Sequence, residues 1–483
     1  MATPIPANRA RFTVVEIVAA TGAEAIGVAP KAAVEGIGTD SRSLAAGNLF
    51  VALRGETHDG HAFVAAAREL GATALVATGC GISGPRLEVA DPLAALGRLA
   101  RAHVDRLAGE HGRAPTLAIG GAAGKTTTKT LAAAAVEALF GDTLVTAGNL
   151  NNRIGVPMTL LTLAPRHRAA VVECGTSEPG EIAALGEIVR PDVALVLNVG
   201  IEHSEKLGGL EEIADEEAAL FAAARAAAVT ASDEPQLRVR LARAGPPRRL
   251  LFGDGAEADV RLVSRAVHAD GTTTLSCEVG AGLAAGGRAE LAVRTPLLGP
   301  AAAIDIAAAL AGSLALLGRP ATAGEVAAAG EALGGVEPVP GRLASRELGA
   351  LLVVDDSYNS NPKSLAAALA ATRELAAARG GGPPVLALGD MLELGELEAA
   401  AHDAAVRDAA ALAPRRLILV GPRLAAAARR VAPAVPLALF VDSASAAAAF
   451  ADLLAGARVL LVKGSRGTRM ERLLAALAPA AAR

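Results

Sequence analysis

The sequence predicts an α/β protein of three domains, with a phosphate-binding loop in the second domain. Its 483 residues leave room for about three domains of ~100–200 residues each. Apolar runs with strand character alternate with Ala-rich helical segments, a pattern typical of parallel sheets. A glycine-rich turn joins one such strand to one such helix within residues 116–139. We place the domains at residues 1–108, 109–334 and 335–483.

Composition excludes several classes of function. The net charge of −4 offers no basic field to nucleic acid, and aromatic residues, at 2%, are too few for base-stacking platforms. Because no run of about 18 apolar residues is free of charge, we expect no membrane insertion. The three cysteines lack paired spacing, which is typical of a reducing compartment. We therefore expect a cytoplasmic protein without a nucleic-acid partner.

The first domain has the pattern of a small α/β unit. The pattern predicts a helix at 12–20, a strand at 48–53, a helix at 62–70 and a strand at 74–77. Polar turns precede and follow the first of these strands, so we expect them to lie near each other. An anionic or nucleotide ligand could bind there, although composition alone favours two solvated turns. The candidate residues are Asp40, Ser41, Arg42 and His61.

The glycine-rich turn of the second domain predicts a phosphate site. A buried strand at 116–119 precedes the turn, and a helix from Lys125 to about Leu139 follows it. In this context backbone N–H groups close around phosphate oxygens, Lys125 reaches the β- and γ-phosphates, and the Thr126 hydroxyl binds Mg²⁺. The alternative is a chance Lys-Thr pair after a Gly-rich turn, which the flanking strand and helix disfavour. Ile119 stands where the longer motif has glycine, so the loop has the shorter Gly-x-x-Gly-Lys-Thr form.

Two further candidates follow strands downstream of this loop. Glu173 ends a strand that begins at Val171, and His203 follows a strand at 193–198. In a parallel sheet chemistry collects at the carboxyl ends of the strands, and a carboxylate and an imidazole there suit the surroundings of Mg²⁺. Either residue alone is more often structural, whereas together with the loop they favour function. Residues 257–298 alternate in polarity between turn signals and predict an added hairpin-rich sheet.

The third domain has the pattern of a Rossmann-like, doubly wound unit, because strands and Ala-rich helices alternate regularly. Polar residues follow its strands at 355–362, 389–391 and 463–466. The predicted strands lie at 351–354, 385–388, 417–420, 437–441 and 459–462.

Short motifs spread over nearly the whole chain resemble those of the Mur ligases, and so many motifs in one order are highly specific to that family. They are Thr-Asp-Ser-Arg at 39–42, Asp-Gly-His at 59–61, the loop at 121–127, Gly-Asn-Leu-Asn-Asn-Arg-Ile-Gly-Val-Pro at 148–157, Glu-Cys-Gly at 173–175, Asn-Val-Gly at 198–200 with His203, Pro-Gly-Arg at 340–342, Asp-Asp-Ser-Tyr-Asn-Ser-Asn-Pro at 355–362, Leu-Gly-Asp-Met-Leu-Glu-Leu-Gly at 388–395 and Lys-Gly-Ser-Arg at 463–466.

The resemblance implies ATP-dependent amide formation in peptidoglycan precursor synthesis. In this family ATP phosphorylates the terminal carboxylate of a UDP-bound peptide, and an amine then attacks the acyl phosphate. The forms of the last four motifs point to the branch whose substrates are UDP-N-acetylmuramoyl-tripeptide and D-alanyl-D-alanine. The resemblance further implies ATP and Mg²⁺ as cofactors and closure of the third domain on ATP, and we expect a monomer.

The resemblance also assigns roles to residues at matching positions. Lys125, Glu173 and His203 are implied as catalytic, with Glu173 on one Mg²⁺ and His203 on a second. The implied ATP site is Gly121, Ala122, Ala123, Gly124, Lys125, Thr126, Thr127, Arg342 and Asp356, of which Thr126 also binds metal. The implied contacts to the UDP substrate are Asp40, Ser41, Arg42 and His61, with Asn149, Asn151 and Asn152 on its peptide side. Our candidates for the dipeptide pocket are Asn359, Asn361, Asp390, Met391 and Leu394.

Two departures from the family pattern affect the phosphate site. Ala122 and Ala123 stand where the family has a hydroxyl residue and Asn, so side-chain donors are lost while backbone N–H groups remain. Glu217 stands where the family has a lysine whose CO₂ adduct supplies a carboxylate near the second metal. Either Glu217 substitutes for that carboxylate as a catalytic residue, or it is a solvated helix glutamate beside Asp215 and Glu216.

A third departure affects adenine recognition and leaves competing functions open. Residues 298–305 lack the His and Asn that border adenine in the family, and Asp305 stands where the later Asn would be. One competing function is a sibling ligase with another amino-acid nucleophile, which the motifs at 356–362 and 389–395 disfavour. The other is a catalytically weak paralogue that binds UDP-peptide, supported only by the three departures. A generic P-loop kinase or NTPase would leave the first and third domains unexplained.

Overall fold

The structure is a computed structural model, and it describes residues 3–55, 58–200 and 204–477. Three sheet-based units follow one another along the chain, in agreement with the predicted fold class. The proposed boundary at residue 108 falls inside the helix Pro92–His111, and the one at 335 follows a helix that ends at Gly334.

The first unit contains a mostly parallel sheet beside a short antiparallel ribbon. The strands before the turns at 40–42 and 59–61 are parallel neighbours, so both turns lie at the same edge of the sheet. The elements are β1 (Arg11–Thr13), α1 (Val14–Thr21), β2 (Glu24–Ile26), β3 (Ala33–Glu35), β4 (Ile37–Gly38), β5 (Leu49–Val51), α2 (Val64–Glu69), β6 (Thr73–Ala77), β7 (Arg86–Val89) and α3 (Pro92–His111).

The second unit is built on a long central sheet. The strand that leads into the phosphate loop lies between the strands that end at Glu173 and Val196, so the three carboxyl ends share one edge. The predicted hairpins are present, and their strands extend this same sheet through a short parallel pairing of Phe252 with Val260. The elements are β8 (Thr116–Gly120), α4 (Lys125–Phe140), β9 (Thr143–Val145), α5 (Gly155–Leu160), β10 (Ala169–Glu173), α6 (Glu181–Val189), β11 (Val193–Val196), α7 (Ser204–Leu207), α8 (Leu210–Ala223), β12 (Ala227–Ala231), α9 (Pro235–Ala244), β13 (Arg248–Gly253), β14 (Val260–Val267), β15 (Thr273–Val279), β16 (Ala289–Thr295), α10 (Gly299–Leu316) and α11 (Ala323–Gly334).

The third unit is a doubly wound parallel sheet with one antiparallel edge strand. The predicted strands are present, whereas the edge strand Ala344–Leu348 was not predicted, because it is largely accessible and lacks an apolar run. The elements are β17 (Ala344–Leu348), β18 (Leu351–Asp356), α12 (Pro362–Ala378), β19 (Val385–Gly389), α13 (Glu398–Ala411), β20 (Arg416–Val420), α14 (Pro422–Val431), β21 (Leu437–Phe440), α15 (Ser443–Ala449), β22 (Val459–Lys463) and α16 (Glu471–Leu477).

Apolar packing joins the units around the central sheet. The first and second units share one core, in which α3 packs against α5 and α6. Helix α10 is long and apolar enough to cross a membrane by length and composition, but 78% of it is buried as the core helix beneath the central sheet. Helix α12 packs on α10, and Arg265 of β14 pairs with Glu374 of α12 at 2.5 Å. These contacts bring the third unit against the carboxyl edge of the central sheet.

Candidate active site

The phosphate loop connects β8 to α4 at the carboxyl edge of the central sheet. Gly121 and Gly124 have φ values of +120° and +87°, a region that favours glycine. A Cβ at Gly121 would lie 3.0 Å from the Leu197 nitrogen, and one at Gly124 would lie 2.5 Å from Asp305 Oδ1. Both glycines are therefore required by backbone conformation and by close neighbours.

Protein acceptors occupy the first N–H groups of this loop. The Gly121 N–H donates to Glu217 Oε2 at 2.7 Å, and the Ala122 N–H donates to the Asn198 carbonyl at 3.1 Å. The Asn198 side chain forms two hydrogen bonds with Ala123, accepting its N–H and donating to its carbonyl, each at 3.0 Å. The two alanines thus serve to anchor the loop through their backbone atoms.

The second half of the loop is open to an anion. Gly124 begins α4 without a side-chain cap, and within the described ranges the N–H groups of residues 124–127 donate to no protein acceptor. Uncapped N–H groups at a helix N-terminus, with the helix dipole behind them, bind phosphate. The N–H groups of Gly124, Lys125, Thr126 and Thr127 thus form a cradle that is open to an anion such as phosphate. Lys125 Nζ lies against the carbonyls of Gly121 and Ala122, at the mouth of this cradle.

Thr126 and Glu173 form the predicted metal position. The Thr126 hydroxyl lies 3.3 Å from Glu173 Oε2, and Asn151 Nδ2 donates to Glu173 Oε1 at 2.8 Å. Hydroxyl and carboxylate oxygens suit Mg²⁺, which normally keeps waters and substrate phosphates as its other ligands. No cluster of three or more His, Cys, Asp or Glu side chains occurs in the part of the chain that is described. These residues fit one Mg²⁺, whereas the predicted ligand His203 lies outside the described residues.

Sequence reasoning gave no role to Lys129, which completes this arrangement. Its Nζ lies 3.0 Å from Glu173 Oε2 and donates to the Gly148 carbonyl at 2.7 Å. The side chains of Lys129 and Glu173 are only 5% and 2% exposed. Helical spacing was the available signal, because Lys129 follows Lys125 by four residues and so shares its face of α4. Two further residues, Asn198 and Lys463, were quoted as parts of motifs but were given no role of their own.

Glu217 is buried beneath the phosphate loop, with 2% of its surface exposed. The solvated-helix alternative is therefore wrong for this residue. Its neighbours act elsewhere, since Asp215 pairs with Arg240 at 2.6 Å and Glu216 accepts the N–H groups of Gly180 and Ile182 at the start of α6. A carboxylate that could replace the family's carbamate is thus held directly under Gly121.

Asp305 lies next to the phosphate loop. It lies on the second turn of α10, against Gly124. Burial raises the pKa of its carboxyl to about 7, while the charge of Arg342 acts in the opposite direction. A carboxyl with this pKa is half-protonated near neutral pH, which reduces its repulsion of phosphate oxygens.

The residues predicted to hold the dipeptide separate into two groups. Asn359 is exposed and Asn361 caps α12, both on the turn after β18. Met391, at 1% exposure, lies in the core of the third unit, and Leu394 packs on that core. The predicted pocket role is therefore wrong for the Met391 side chain.

The carboxylate of Asp390, which was also predicted to line the dipeptide pocket, holds the start of α14 instead. It accepts the N–H groups of Arg423 and Leu424 at 3.1 and 2.8 Å, and the residue is 1% exposed. A buried carboxylate with two backbone donors is a structural helix cap.

The predicted UDP residues of the first unit also differ from one another. Asp40 and Arg42 pair at 2.6 Å on an exposed turn beside Ser41, and hydrogen bonds to Arg42 hold the pKa of Asp40 at about 2. His61 has no ring nitrogen left for a ligand, because Nδ1 bonds Asp59 at 2.6 Å and Nε2 accepts the Ala77 N–H at 3.0 Å. His61 therefore ties its turn to β6, which argues against the predicted contact with UDP through its ring nitrogens.

The three asparagines predicted on the peptide side differ in how exposed their side chains are and in what they hydrogen-bond. Asn149 is exposed and accepts a hydrogen bond from Thr3 Oγ1 at 2.7 Å. Asn151 is bound to Glu173, as described above. The Asn152 side-chain oxygen accepts the N–H groups of Ile154 and Gly155 at the start of α5. Asn149 and Asn151 line the loop beside the metal position, while Asn152 shapes that loop.

This fold and site define a P-loop nucleotide-binding protein of three domains. Sequence models of the Mur ligase family match it in chain order: "Mur ligase family, catalytic domain" at 33–103, "Mur ligase middle domain" at 119–312 and "Mur ligase, glutamate ligase domain" at 341–466. UDP-N-acetylmuramoyl-tripeptide--D-alanyl-D-alanine ligase of Escherichia coli strain K12 is 34% identical over 454 residues, which cover 92% of this chain and 93% of that protein. The chain belongs to the Mur ligase family.

Solved structures agree with this assignment. MurF from Acinetobacter baumannii superposes with a TM-score of 0.84 at 29% identity, covering 97% of this chain and 99% of that chain. MurF ligase from Thermotoga maritima in complex with ADP gives a TM-score of 0.76 at 26% identity, with 91% and 96% covered. The Mur ligase arrangement of three domains therefore extends over nearly the whole chain.

Proposed function

We propose that this chain joins D-alanyl-D-alanine to UDP-N-acetylmuramoyl-tripeptide at the expense of ATP. The observation that carries the proposal is the uncapped start of α4 beside Thr126 and Glu173. It is supported by a similarity that covers 92% of the chain to a relative named for this reaction. The products are the amide, ADP and phosphate.

The first half-reaction activates the tripeptide. A terminal carboxylate oxygen attacks the γ-phosphorus of ATP, the bond to the β–γ bridging oxygen breaks, and ADP leaves with that electron pair. The N–H groups of residues 124–127 hold phosphate oxygens, and Lys125 turns from its loop carbonyls to stabilise the transferring phosphoryl group. Thr126 and Glu173 would hold Mg²⁺, which would supply positive charge to offset that of the phosphates.

The second half-reaction forms the amide. The dipeptide amine attacks the carbonyl carbon of the acyl phosphate, the carbon–oxygen bond to phosphate breaks, and the amine loses a proton. The exposed turn that holds Asn359 and Asn361, together with Leu394, receives the dipeptide. The main contribution of the protein is to hold the amine and the acyl phosphate in contact.

In this proposal Glu217 supplies a carboxylate that needs no CO₂. Its position under Gly121 places a negative charge behind the loop, where the family has a carbamylated lysine. UDP binds at the exposed turn of Asp40, Ser41 and Arg42, and the peptide passes Asn149 and Asn151 toward the metal position.

The same proposal covers the compartment, the domain boundaries and the oligomeric state of the enzyme. Free cysteines at positions 80, 174 and 277 suit the cytoplasm, where nucleotide substrates are made. We place the domains at 1–108, 109–334 and 335–483 and propose a monomer, because one chain supplies all the residues invoked above.

Phosphate release by the purified protein tests the proposal. With ATP, Mg²⁺ and UDP-N-acetylmuramoyl-tripeptide, we expect release that depends on D-alanyl-D-alanine and that is absent from Lys125→Met. Release with a different amino acid instead would identify a sibling ligase. Binding of the UDP-tripeptide without any release would identify a catalytically weak paralogue.

A further inference from the structure

We propose that Lys463 is a positioning residue that acts through Asp356 to fix the direction of Arg342. The proposal rests on the proposed function, because it concerns how Arg342 is presented to ATP. It concerns a buried lysine to which no role has been assigned above.

Lys463 and Asp356 form a buried ion pair at the carboxyl edge of the third sheet. They end the parallel neighbours β22 and β18 and lie opposite each other in the register. Lys463 Nζ lies 2.5 Å from Asp356 Oδ2 and donates to the Asn359 carbonyl at 3.0 Å. The side chains are 1% and 11% exposed, so each charge depends on the other for compensation.

The second oxygen of Asp356 holds the segment 341–343. Oδ1 accepts the Leu343 N–H at 3.1 Å, and the Tyr358 N–H donates to the Gly341 carbonyl at 3.0 Å. Leu343 has a φ of +50°, which a leucine adopts only where the surrounding contacts require it. The residues on both sides of Arg342 are therefore fixed by hydrogen bonds, one to the end of β18 and one to the turn that follows it.

The side chain of Arg342 is consequently aimed across Tyr358. Its guanidinium carbon lies 4.6 Å from the centre of the Tyr358 ring, and that of Arg466 lies 5.7 Å from the same ring. Among the described residues, no carboxylate lies within 4.0 Å of the Arg342 nitrogens, so its charge is available to an anion. Asp305 lies against Gly124 of the phosphate loop, and the charge of Arg342 lowers the pKa of the Asp305 carboxyl.

This arrangement gives Asp356 a role in positioning Arg342. The residue is 8% exposed, and its two oxygens are engaged by Lys463 and by the Leu343 N–H. Asp356 therefore serves ATP by holding Arg342, in addition to the contact with ATP that the sequence predicts. Lys463 in turn holds the Asp356 carboxylate in this orientation.

Tyrosine fluorescence provides a test that needs no ligase activity. Tyr358 is the only tyrosine and the chain has no tryptophan, so its emission reports on this ring alone. In the protein without substrates, we expect the emission of Lys463→Met to match that of Arg342→Met, because the guanidinium leaves the ring. The matched control Lys31→Met, an exposed lysine of the first unit, should keep the original emission.

ADP binding and kinetics give the second readout. We expect Lys463→Met to weaken ADP binding and raise the KM for ATP at least tenfold, with the KM for UDP-tripeptide within twofold. If that variant does not fold, Lys463→Met with Asp356→Asn removes both buried charges and should fold while keeping the ATP defect. A folded variant with unchanged emission and ATP KM, or with all KM values raised equally, would overturn the proposal. A protein that lacks ligase activity but shows the emission and ADP changes would instead contradict only the proposed function.

Discussion

Lys129 and Glu173 form a buried ion pair beneath the phosphate loop, with Nζ and Oε2 3.0 Å apart. The carboxylate assigned to Mg²⁺ therefore already has a fixed cation on one side and Asn151 on the other. A metal ion that binds there shares Glu173 with a lysine of α4. Loop geometry and metal affinity are thereby coupled through one side chain.

Replacement of Lys129 by methionine should leave the Glu173 carboxylate buried without its partner. We expect a loss of about 3–5 kcal/mol in the free energy of unfolding, the usual cost of breaking a buried pair. Mg²⁺ with ATP should raise the melting temperature of this variant more than that of the original protein, because the metal supplies the missing charge. Thermal unfolding with and without Mg²⁺-ATP measures both effects, with Lys31→Met as the control. Equal stability of variant and original protein would contradict this role.

The two functions of Glu217 can be separated by substitution. Glu217→Gln keeps an oxygen for the Gly121 N–H but removes the charge, whereas Glu217→Ala removes both. If the charge serves catalysis, both variants should lose on the order of 100-fold in kcat. Activity retained by glutamine alone would limit Glu217 to holding the loop, and activity retained by alanine would exclude both roles.

Asp305 should make stability depend on pH. Its folded pKa of about 7 lies above the ordinary value of 3.8, because burial disfavours the charged form. The folded state therefore binds the proton more tightly, and the free energy of unfolding falls as the pH rises from 3.8 to about 7. Asp305→Asn removes this loss, so the variant should gain stability at pH 8, by at most about 4 kcal/mol, and little at pH 4. Urea unfolding at both pH values measures the difference, and an equal effect at the two would contradict the assignment.

Asp390 and Asn359 provide a matched comparison within the predicted dipeptide site. Asp390→Ala leaves two N–H groups of α14 without their acceptor, so we expect a loss of about 1–2 kcal/mol in stability. Its KM for D-alanyl-D-alanine should stay unchanged, whereas Asn359→Ala should raise that KM and lose less stability, because the Asn359 oxygen accepts only one backbone N–H, that of Ser360 at 2.9 Å. Unfolding curves and dipeptide titrations distinguish the two, and the opposite result would return Asp390 to the pocket.

Local sequence patterns predicted the phosphate loop, the strands of the third domain other than β17, and the polar residues that follow several strands. These features depend on periodicity and on short-range backbone requirements, such as the glycines at 121 and 124. The failures arose where a distant backbone group decides the role of a side chain. The His61 ring accepts the Ala77 N–H, and the Asp390 carboxylate accepts N–H groups at the start of α14. Both donors are distant in sequence, so the residues next to His61 and Asp390 give no sign of these hydrogen bonds.

A short linker, residues 335–340, connects the second domain to the fixed turn at 341–343 that carries Arg342. Helix α11 ends at Gly334, so residues 335–340, with prolines at 338 and 340, form the only segment between that helix and the turn. Arg342 precedes the first strand of the third domain, but its neighbours Gly341 and Leu343 are hydrogen-bonded to residues that follow or end β18, so Arg342 would move together with that domain. Any rotation about this six-residue hinge becomes a displacement of a positive charge relative to α4. The orientation of the third domain and the position of the Arg342 charge near the nucleotide are thus coupled. A ligand that fixes one of them would also fix the other.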